Sequence, residues 1–199
     1  MYDIISPMRK YLFLDGEFGG REVKFSLLTF SFVVMDEQFN IIDELSIKTK
    51  PDDGIYILSG QGMTVNGINI QEHDKIAIPY KNAKALVYNF LKKNSTGAKL
   101  IPVGQGVRGD IGHLTDKLIS EGSWEQCCTY HFIDTSVALQ FLRMCGKMPF
   151  DCDGSIESLV KYFDPTKVFN FHDAREDCLA TAFVLKKFIE INNMPNLNV

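Results

Sequence analysis

The segment from Tyr11 to Leu14 is a short apolar run that ends abruptly at two acidic residues, Asp15 and Glu17. Successive side chains of a strand point to opposite faces, so an unbroken apolar run predicts a strand that is buried on both sides. Such a strand is typical of the centre of an α/β sheet. We therefore expect residues 11–15 to form the central strand, with the two acids at its carboxyl end.

The rest of the chain predicts the elements around this strand. Two further apolar segments, 23–35 and 40–49, indicate that the first three strands form a meander. Helical periodicity and strand-like runs then alternate. The predicted helices and strands that follow are helix 79–94, strand 98–104, helix 109–120, strand 131–135 and helices 136–145, 155–163 and 174–191.

These elements predict one α/β domain over residues 1–199, with a flexible tail from about residue 192. The sheet is mixed and five-stranded, a three-strand meander followed by parallel strands, and helices flank it. Residues 51–78 show no sustained periodicity, so we expect a long irregular segment there, and such segments are often functional.

Composition narrows the function. The formal net charge is −4, which argues against tight, non-specific binding of long nucleic acid but allows a short phosphate ligand held by metal ions. Five cysteines with no CxxC pair predict reduced thiols and a cytoplasmic location. The longest apolar stretch is too short to span a bilayer, so no membrane association is expected.

Asp15 and Glu17 are two residues apart, so their side chains share one face of the strand, about 6.5 Å apart along it. Ligands of open α/β sheets usually bind at the carboxyl ends of the strands, where these acids lie. Gly16, between them, allows another group to approach the backbone closely. The alternative is an ordinary turn, which also favours Asp and Gly.

Two more acids occupy unusual helical positions. Asp110 falls on the core-facing side of helix 109–120, one turn before Leu114, where a charge is costly unless something compensates it. Asp177 borders the apolar stripe of the last helix, whose start resembles a capping box formed by Asp173 and Glu176. The alternatives are a helix cap for Asp110 and an acid favoured by the helix dipole for Asp177.

His172 lies just before Asp173 and so falls on the loop that leads into the last helix. This loop can place the imidazole beside the group that Asp177 binds. The alternative is an ordinary loop histidine with no part in binding or catalysis. Four carboxylates with one histidine suit a site for two divalent cations, and oxygen ligands favour magnesium or manganese. Such a pair of cations promotes in-line phosphoryl displacement, with a neutral imidazole as the base.

The order and spacing of these residues resemble the DEDDh branch of the proofreading-type 3′→5′ exonucleases, which includes RNase T and oligoribonuclease and has a ribonuclease H-like fold. Asp15-Gly16-Glu17 matches the family's Asp-x-Glu at the end of the first strand, and Asp110 matches the Asp that opens a helix after the fourth strand. Residues 172–177 match His-x-Ala-x-x-Asp, the most specific of the three motifs. The resemblance covers nearly the whole chain.

The resemblance implies a role for each residue. Two Mg²⁺ or Mn²⁺ ions would be bound by Asp15, Glu17, Asp110 and Asp177. His172 would act as the general base, and nucleoside 5′-monophosphates would leave from the 3′ ends of single-stranded RNA or DNA. The implied substrate-binding residues are Phe18, Gly19, Thr64, Gly67, Ile68 and Arg108. For Arg108 the alternative interpretation is an ordinary solvated loop arginine. RNase T acts as a homodimer, so the resemblance also implies that this chain forms a homodimer.

Three positions depart from the family pattern. Gln105-Gly106 stands where the family commonly has His-Asn, Gly109 where it has Phe, and Phe18 where it has Thr or Met. These changes leave the metal ligands intact and affect the shape of the nucleotide pocket, so the choice between RNA and DNA stays open. The net charge favours short oligonucleotides or 3′ overhangs as substrates.

A second function from another class is a non-catalytic module that binds nucleic acid or a polymerase. Such a module has no need for all five polar groups. The sequence retains all of them, which favours the enzyme.

Overall fold

The computed structural model describes residues 9–193. A mixed six-stranded sheet with the order β4-β3-β2-β1-β5-β6 forms its centre. β1 pairs antiparallel with β2 and parallel with β5, and β2 pairs antiparallel with β3. The strands are β1 (Tyr11–Phe18), β2 (Leu27–Met35), β3 (Ile41–Lys50), β4 (Ile78–Pro79), β5 (Ile101–Gly104) and β6 (Ile133–Asp134).

Helices cover both faces of the sheet. Within residues 9–193 they are α1 (Gly60–Asn66), α2 (Ile70–Ile76), α3 (Tyr80–Asn94), α4 (Val107–Lys117), α5 (Glu121–Cys127), α6 (Thr135–Met144), α7 (Ile156–Phe163) and α8 (Ala174–Asn193). The predicted α/β class is confirmed, with a meander followed by parallel strands.

β1 lies at the centre of the sheet and is buried on both faces, as its apolar run predicts. Leu12 and Leu14 pack into a cluster with residues of α3 and α4, while Phe13, on the other face, packs against Cys178 and Ala182 of α8. Burial of these side chains on both sides fixes the register of β1 relative to the helices. The acids that follow Leu14 are therefore held at a defined position between α4 and α8.

The segment 51–78 differs from its prediction as an irregular stretch, because it contains two helices of seven residues each. Ser59 caps α1 by accepting from the Gly62 N–H, and Asn69 caps α2 by accepting from two N–H groups. Gly67 ends α1 in the left-handed conformation, with φ of 63°. Helices this short show no sustained periodicity, so only their caps are visible in the sequence.

Four other differences concern short elements and boundaries. β4 adds a sixth strand of two residues, and α5 replaces a segment for which no element was predicted. The second strand begins at Leu27 rather than residue 23, because residues 19–26 form a turn in which the Gly19 N–H donates to the Ser26 carbonyl. Of the predicted tail, Asn192 and Asn193 end α8, and the remainder lies outside the described residues.

All five cysteines are free thiols. Across residues 9–193, no helix combines the length and the apolar character that crossing a lipid bilayer requires.

Candidate metal-dependent active site

Three carboxylates meet at the carboxyl end of β1. Asp15, Glu17 and Asp177 each offer one oxygen, and these oxygens all lie within 4.8 Å of one another. Asp15 and Glu17 come from the same face of β1, and Asp177 comes from the first turn of α8, which packs on that face. The packing of Phe13 against Cys178, next in sequence to Asp177, brings the two elements into this register.

Asp110 approaches the same place from the other side of β1. It lies in the first turn of α4, which begins after Gly106 in the left-handed conformation with φ of 64°, so Asp110 is not the cap of this helix. Its carboxylate accepts a hydrogen bond from the Gly16 N–H and raises the pKa of Asp15 by repulsion. With only 8% of its surface exposed, Asp110 places a buried charge beside the three clustered acids.

The four carboxyl groups resist ionising together. Burial, followed by repulsion from Asp110, raises the pKa of Asp15 well above its ordinary value. Burial is also the main cause that raises the pKa of Glu17 to about 8 and the pKa of Asp110 to about 8. For Asp177 burial raises the pKa to about 6, and a hydrogen bond from the His172 N–H opposes part of that rise.

This donor set fits a hard divalent cation. The ligand atoms are carboxylate oxygens, which Mg²⁺ and Mn²⁺ prefer over nitrogen and sulfur. Positive charge placed among Asp15, Glu17 and Asp177 would offset both the burial and the repulsion that raise their pKa values. Asp110 adds a fourth negative charge, and four negative charges balance two divalent cations.

His172 lies outside α8, on the loop that precedes it. Its backbone is in the left-handed region with φ of 66°, which costs a residue other than glycine about 1–3 kcal/mol. The His172 N–H donates to Asp177 Oδ2 at 3.0 Å, and this bond links the strained residue to the acid cluster. The exposed imidazole lines a cavity of about 250 Å³ together with Asp15 and Asp177.

Asp173 caps α8, as predicted, by accepting from the N–H groups of Arg175 and Glu176. The reciprocal half of the predicted capping box does not form. Glu176 instead pairs with Arg175, and the Asp173 N–H donates to the Asn170 carbonyl. The Arg175 guanidinium also binds Glu44 at 2.9 Å, so it holds Glu176 away from the helix end.

The same cavity contains residues to which the sequence analysis gave no role. Gln105 donates to the Gly154 carbonyl at 2.8 Å and accepts from Thr135 Oγ1 at 3.1 Å, so it connects β5 to the loop before α7. Glu157 lies in the first turn of α7 and pairs with Lys161. An acid in the first turn of a helix is so common that Glu157 gave no distinguishing signal.

Glu17 lines a second cavity, of about 310 Å³. Phe18, Gly20 and Arg21 form one wall, and Gln61 and Val65 of α1 belong to the opposite wall. The clustered acids therefore line two cavities: Asp15 and Asp177 line the one beside His172, and Glu17 lines the one beside α1.

The structure separates the six predicted substrate-binding residues. Of these, Phe18 lines the second cavity, while Gly19 is buried where an added Cβ would lie 2.6 Å from the Ile57 carbonyl oxygen. Thr64 is exposed on α1 and donates to the Gly60 carbonyl. Gly67 caps α1 without lining either cavity.

Ile68 and Arg108 also lie away from the two cavities. Ile68 lines another cavity, of about 240 Å³, with Thr29 and Lys48. Arg108 is exposed on the first turn of α4, two residues before Asp110.

Phe18 is held by an aromatic stack that the sequence did not reveal. Its ring lies 3.9 Å, centroid to centroid, from the imidazole of His113, and the planes differ by 20°. His113 is 1% exposed; its Nε2–H donates to the Arg21 carbonyl at 3.3 Å, and its Nδ1 has no hydrogen-bond partner. The Phe18 ring also covers Gly16, where an added Cβ would lie 2.5 Å from the ring.

Comparison with solved structures identifies the architecture. Escherichia coli exonuclease I in complex with a dT13 oligonucleotide superposes with a TM-score of 0.70 at 19% identity, over 90% of this chain and 40% of that one. The zinc-bound form of the E. coli exonuclease I complex with single-stranded DNA gives 0.73 at 20% identity, over 93% and 41%. The chain has the fold of exonuclease I.

The likeness to exonuclease I confirms, at the level of the fold, the resemblance that the sequence motifs indicate. The chain spans about two-fifths of the length of exonuclease I. The sequence matches no protein family profile and no curated protein. The chemistry of the site therefore depends on the residues of this chain.

Replacing Asp110 by asparagine should stabilise the protein in chelator at pH 8. The pKa of Asp110 is about 8 in the folded protein and near 4 in the unfolded chain, so between these pH values the folded state binds the extra proton. The stability from this group is therefore complete below pH 4 and is lost as the pH rises to 8. We expect Asp110→Asn to gain about 1–3 kcal/mol at pH 8 and to lose less stability between pH 5 and 8.

Urea unfolding followed through the single tryptophan, Trp124, measures this difference. Asp151→Asn is the control, because Asp151 is exposed and distant in sequence from the acids. Lower stability of Asp110→Asn than of wild type at pH 8 in chelator would contradict the account of a repelled, buried carboxylate.

His113→Phe should raise stability by about 1 kcal/mol. The phenyl ring keeps the stack on Phe18 and removes the buried Nδ1, and an unpartnered buried polar atom costs about 1–3 kcal/mol. Loss of the 3.3 Å bond from Nε2–H to the Arg21 carbonyl offsets part of this gain. His73→Phe is the matched control, since His73 is also buried and its Nε2 also binds a carbonyl, that of Thr49 at 2.9 Å, but none of its side-chain nitrogens is buried without a partner. Thermal unfolding should show opposite signs for the two variants; equal destabilisation would mean that Nδ1 is satisfied in solution.

Proposed function

We propose that the chain is a metal-dependent 3′→5′ exonuclease. It hydrolyses phosphodiester bonds at the 3′ ends of single-stranded RNA or DNA and releases nucleoside 5′-monophosphates. The observation that carries this proposal is the meeting of Asp15, Glu17 and Asp177 within 4.8 Å, with buried Asp110 beside them and His172 at the edge of the same cavity. The exonuclease I fold, solved elsewhere with single-stranded oligonucleotides, supports it.

Asp15, Glu17, Asp110 and Asp177 would hold two Mg²⁺ or Mn²⁺ ions. Bound cations of this kind supply positive charge to the attacking and leaving oxygens of an in-line phosphoryl displacement. The carboxylates fix the position of that charge, because β1, α4 and α8 are packed around Leu14 and Phe13 and hold their acids rigidly.

His172 is the general base in this proposal. Its neutral imidazole takes a proton from the water whose oxygen attacks the terminal phosphorus, and the bond from phosphorus to the 3′ oxygen of the preceding nucleotide breaks. That oxygen leaves on the shortened strand and takes a proton from solvent. The bond from the His172 N–H to Asp177 Oδ2 keeps the loop, and so the imidazole, at the rim of the cavity.

The two cavities, one lined by Asp15 and Asp177 and the other by Glu17, suggest a division of the substrate. The 250 Å³ cavity beside His172 suits the scissile phosphate, and the 310 Å³ cavity beside α1 suits the terminal nucleoside. Phe18 is the apolar wall against which a base would lie without its sequence being read. The contacts proposed for Gly19, Thr64, Gly67 and Ile68 require α1 and its flanking loops to close over the substrate. Arg108 would contact the substrate from the first turn of α4.

Digestion of single-stranded RNA and DNA labelled at the 3′ or the 5′ end, with and without Mg²⁺, tests the proposal. We expect immediate release of 3′ label as mononucleotide, stepwise shortening of the 5′-labelled strand, and no cleavage in chelator. Equal digestion rates in chelator and in Mg²⁺ would overturn it. Tight binding without turnover in saturating Mn²⁺ would assign the chain to the alternative, a non-catalytic binding module.

Removal of the base should slow the chemical step. We expect His172→Ala to lower kcat by about 10²–10⁴-fold in saturating Mg²⁺, the range for a general base, with KM little changed. His131→Ala is the matched control, since His131 is exposed on the loop before β6 and lies outside both cavities. A kcat within twofold of wild type for His172→Ala would remove His172 from the mechanism.

Two expectations from the sequence stay predictions: a cytoplasmic location and a homodimer. Light scattering at working concentration distinguishes the dimer from a monomer.

A further inference from the structure

Helix α3 has a charge unlike that of the rest of the chain. It contains four lysines and no acidic residue. The chain carries −4 overall and α3 carries +4, so the rest of the chain carries −8. Because salt screens charges beyond about 8–10 Å, an anionic ligand close to α3 would sense the local positive charge rather than the net negative charge.

Three of these lysines share one side of α3 with an aromatic residue. Steps of three or four residues place side chains on one helical face. We call this surface the α3 basic face; its residues are Lys81, Lys84, Tyr88 and Lys92. The lysines are exposed and Tyr88 is half-buried, which leaves part of its ring accessible.

In the part of the chain that the structure describes, the ammonium groups of this face form no ion pair, and the nearby Asp52 carboxylate accepts from the Lys81 backbone N–H at 2.9 Å. Lys93, on another side of α3, pairs with Asp43 at 2.9 Å. Lys92 instead lies over the Tyr88 ring, 5.5 Å from its centroid. Within residues 9–193, the ammonium groups of Lys81 and Lys84 have neither an ion-pair partner nor a hydrogen-bond partner.

The α3 basic face borders a cavity of about 400 Å³ between α3 and the α4–α5 connection. Lys84 and Tyr88 form its α3 side, and Lys117 and Ser120 belong to the opposite side. Asp116, the acid of this cavity, pairs with Lys117. The cavity thus has a free ammonium group, an aromatic ring and hydroxyl groups, which are the groups that contact phosphates and stacked bases in single-strand binding proteins.

Helix α4 connects this cavity to the acid cluster. Asp110 lies in its first turn beside Asp15, and Lys117 is its last residue. Lys117 is seven positions after Asp110, which corresponds to about 10 Å along the helix axis. A nucleic-acid strand whose 3′ end lies at the acids could therefore extend along α4 to the α3 basic face.

We propose that the α3 basic face and its cavity bind the phosphodiester backbone of the substrate strand upstream of its 3′ end. This inference rests on the proposed exonuclease function and changes the expected substrate. The net charge of −4 favours short oligonucleotides, whereas the segregated charge of α3 gives a longer strand additional contacts that a trinucleotide cannot reach.

The test compares a single-stranded 20-mer with a trinucleotide, using wild type and the triple variant Lys81→Gln, Lys84→Gln, Lys92→Gln. For the 20-mer we expect the variant to raise KM by about tenfold or more at low salt. Loss of three phosphate contacts should also reduce the slope of log affinity against log salt by about 2. Neither kcat nor the KM for the trinucleotide should change.

A charge-matched control carries Lys75→Gln, Lys99→Gln and Lys186→Gln, three exposed lysines outside α3. It should behave as wild type on both substrates. An equal rise of KM in both triple variants, or an unchanged salt slope in the α3 variant, would overturn the inference.

Fluorescence anisotropy of the labelled 20-mer in chelator separates this inference from the proposed function, because it measures binding without cleavage. If wild type binds with the expected salt slope but does not hydrolyse the strand in Mg²⁺ or Mn²⁺, the inference about the α3 basic face is supported and the exonuclease proposal fails. If hydrolysis occurs but the α3 variant binds the 20-mer as wild type does, only the α3 inference fails.

Discussion

The burial of four mutually repelling carboxyl groups at the end of β1 is the constraint on which the rest of this structure depends. Each is partly or largely withdrawn from water, and the pKa of each is raised. A fold gains nothing in stability by placing acids this way, since each would be better solvated at the surface. Clusters of perturbed pKa values that stability does not explain are typical of sites that bind charged ligands.

The architecture around the acids keeps them from separating. β1 is fixed by apolar contacts on both faces. β2 pairs with it as far as Phe18, whereas β5 pairs with it only as far as Phe13, so the segment after Leu14 has no strand partner on the β5 side. Glycines allow the close approaches: an added Cβ at Gly104 would lie 3.1 Å from the Leu14 carbonyl oxygen, and the Gly16 N–H reaches the Asp110 carboxylate. The left-handed backbone of His172 adds a local cost at the same site. The fold therefore supports an arrangement that is locally unfavourable without its ligand.

The central strand and the inward position of Asp110 could be predicted from the sequence, because both follow from the spacing of apolar residues along the chain. The apolar run before Asp15 predicted the central strand, and the helical face shared with Leu114 indicated that Asp110 points inward. The short helices α1 and α2 could not be predicted, since seven residues give too few turns for a periodic signal. The stack of His113 on Phe18 could not be predicted because it joins residues 95 positions apart. The cavity between the α3 basic face and Lys117 could not be predicted either, because it depends on how α3 packs beside α4.

The central claim is that the acids at the end of β1 form a divalent-cation site. A crystal of the protein soaked in Mn²⁺, with data collected at the manganese absorption edge, tests it directly. The account predicts anomalous peaks bounded by Asp15, Glu17 and Asp177, with Asp110 as a further ligand, and loss of these peaks in Asp15→Asn. An ordered site with all four side chains in place and no anomalous peak at saturating Mn²⁺ would contradict the account.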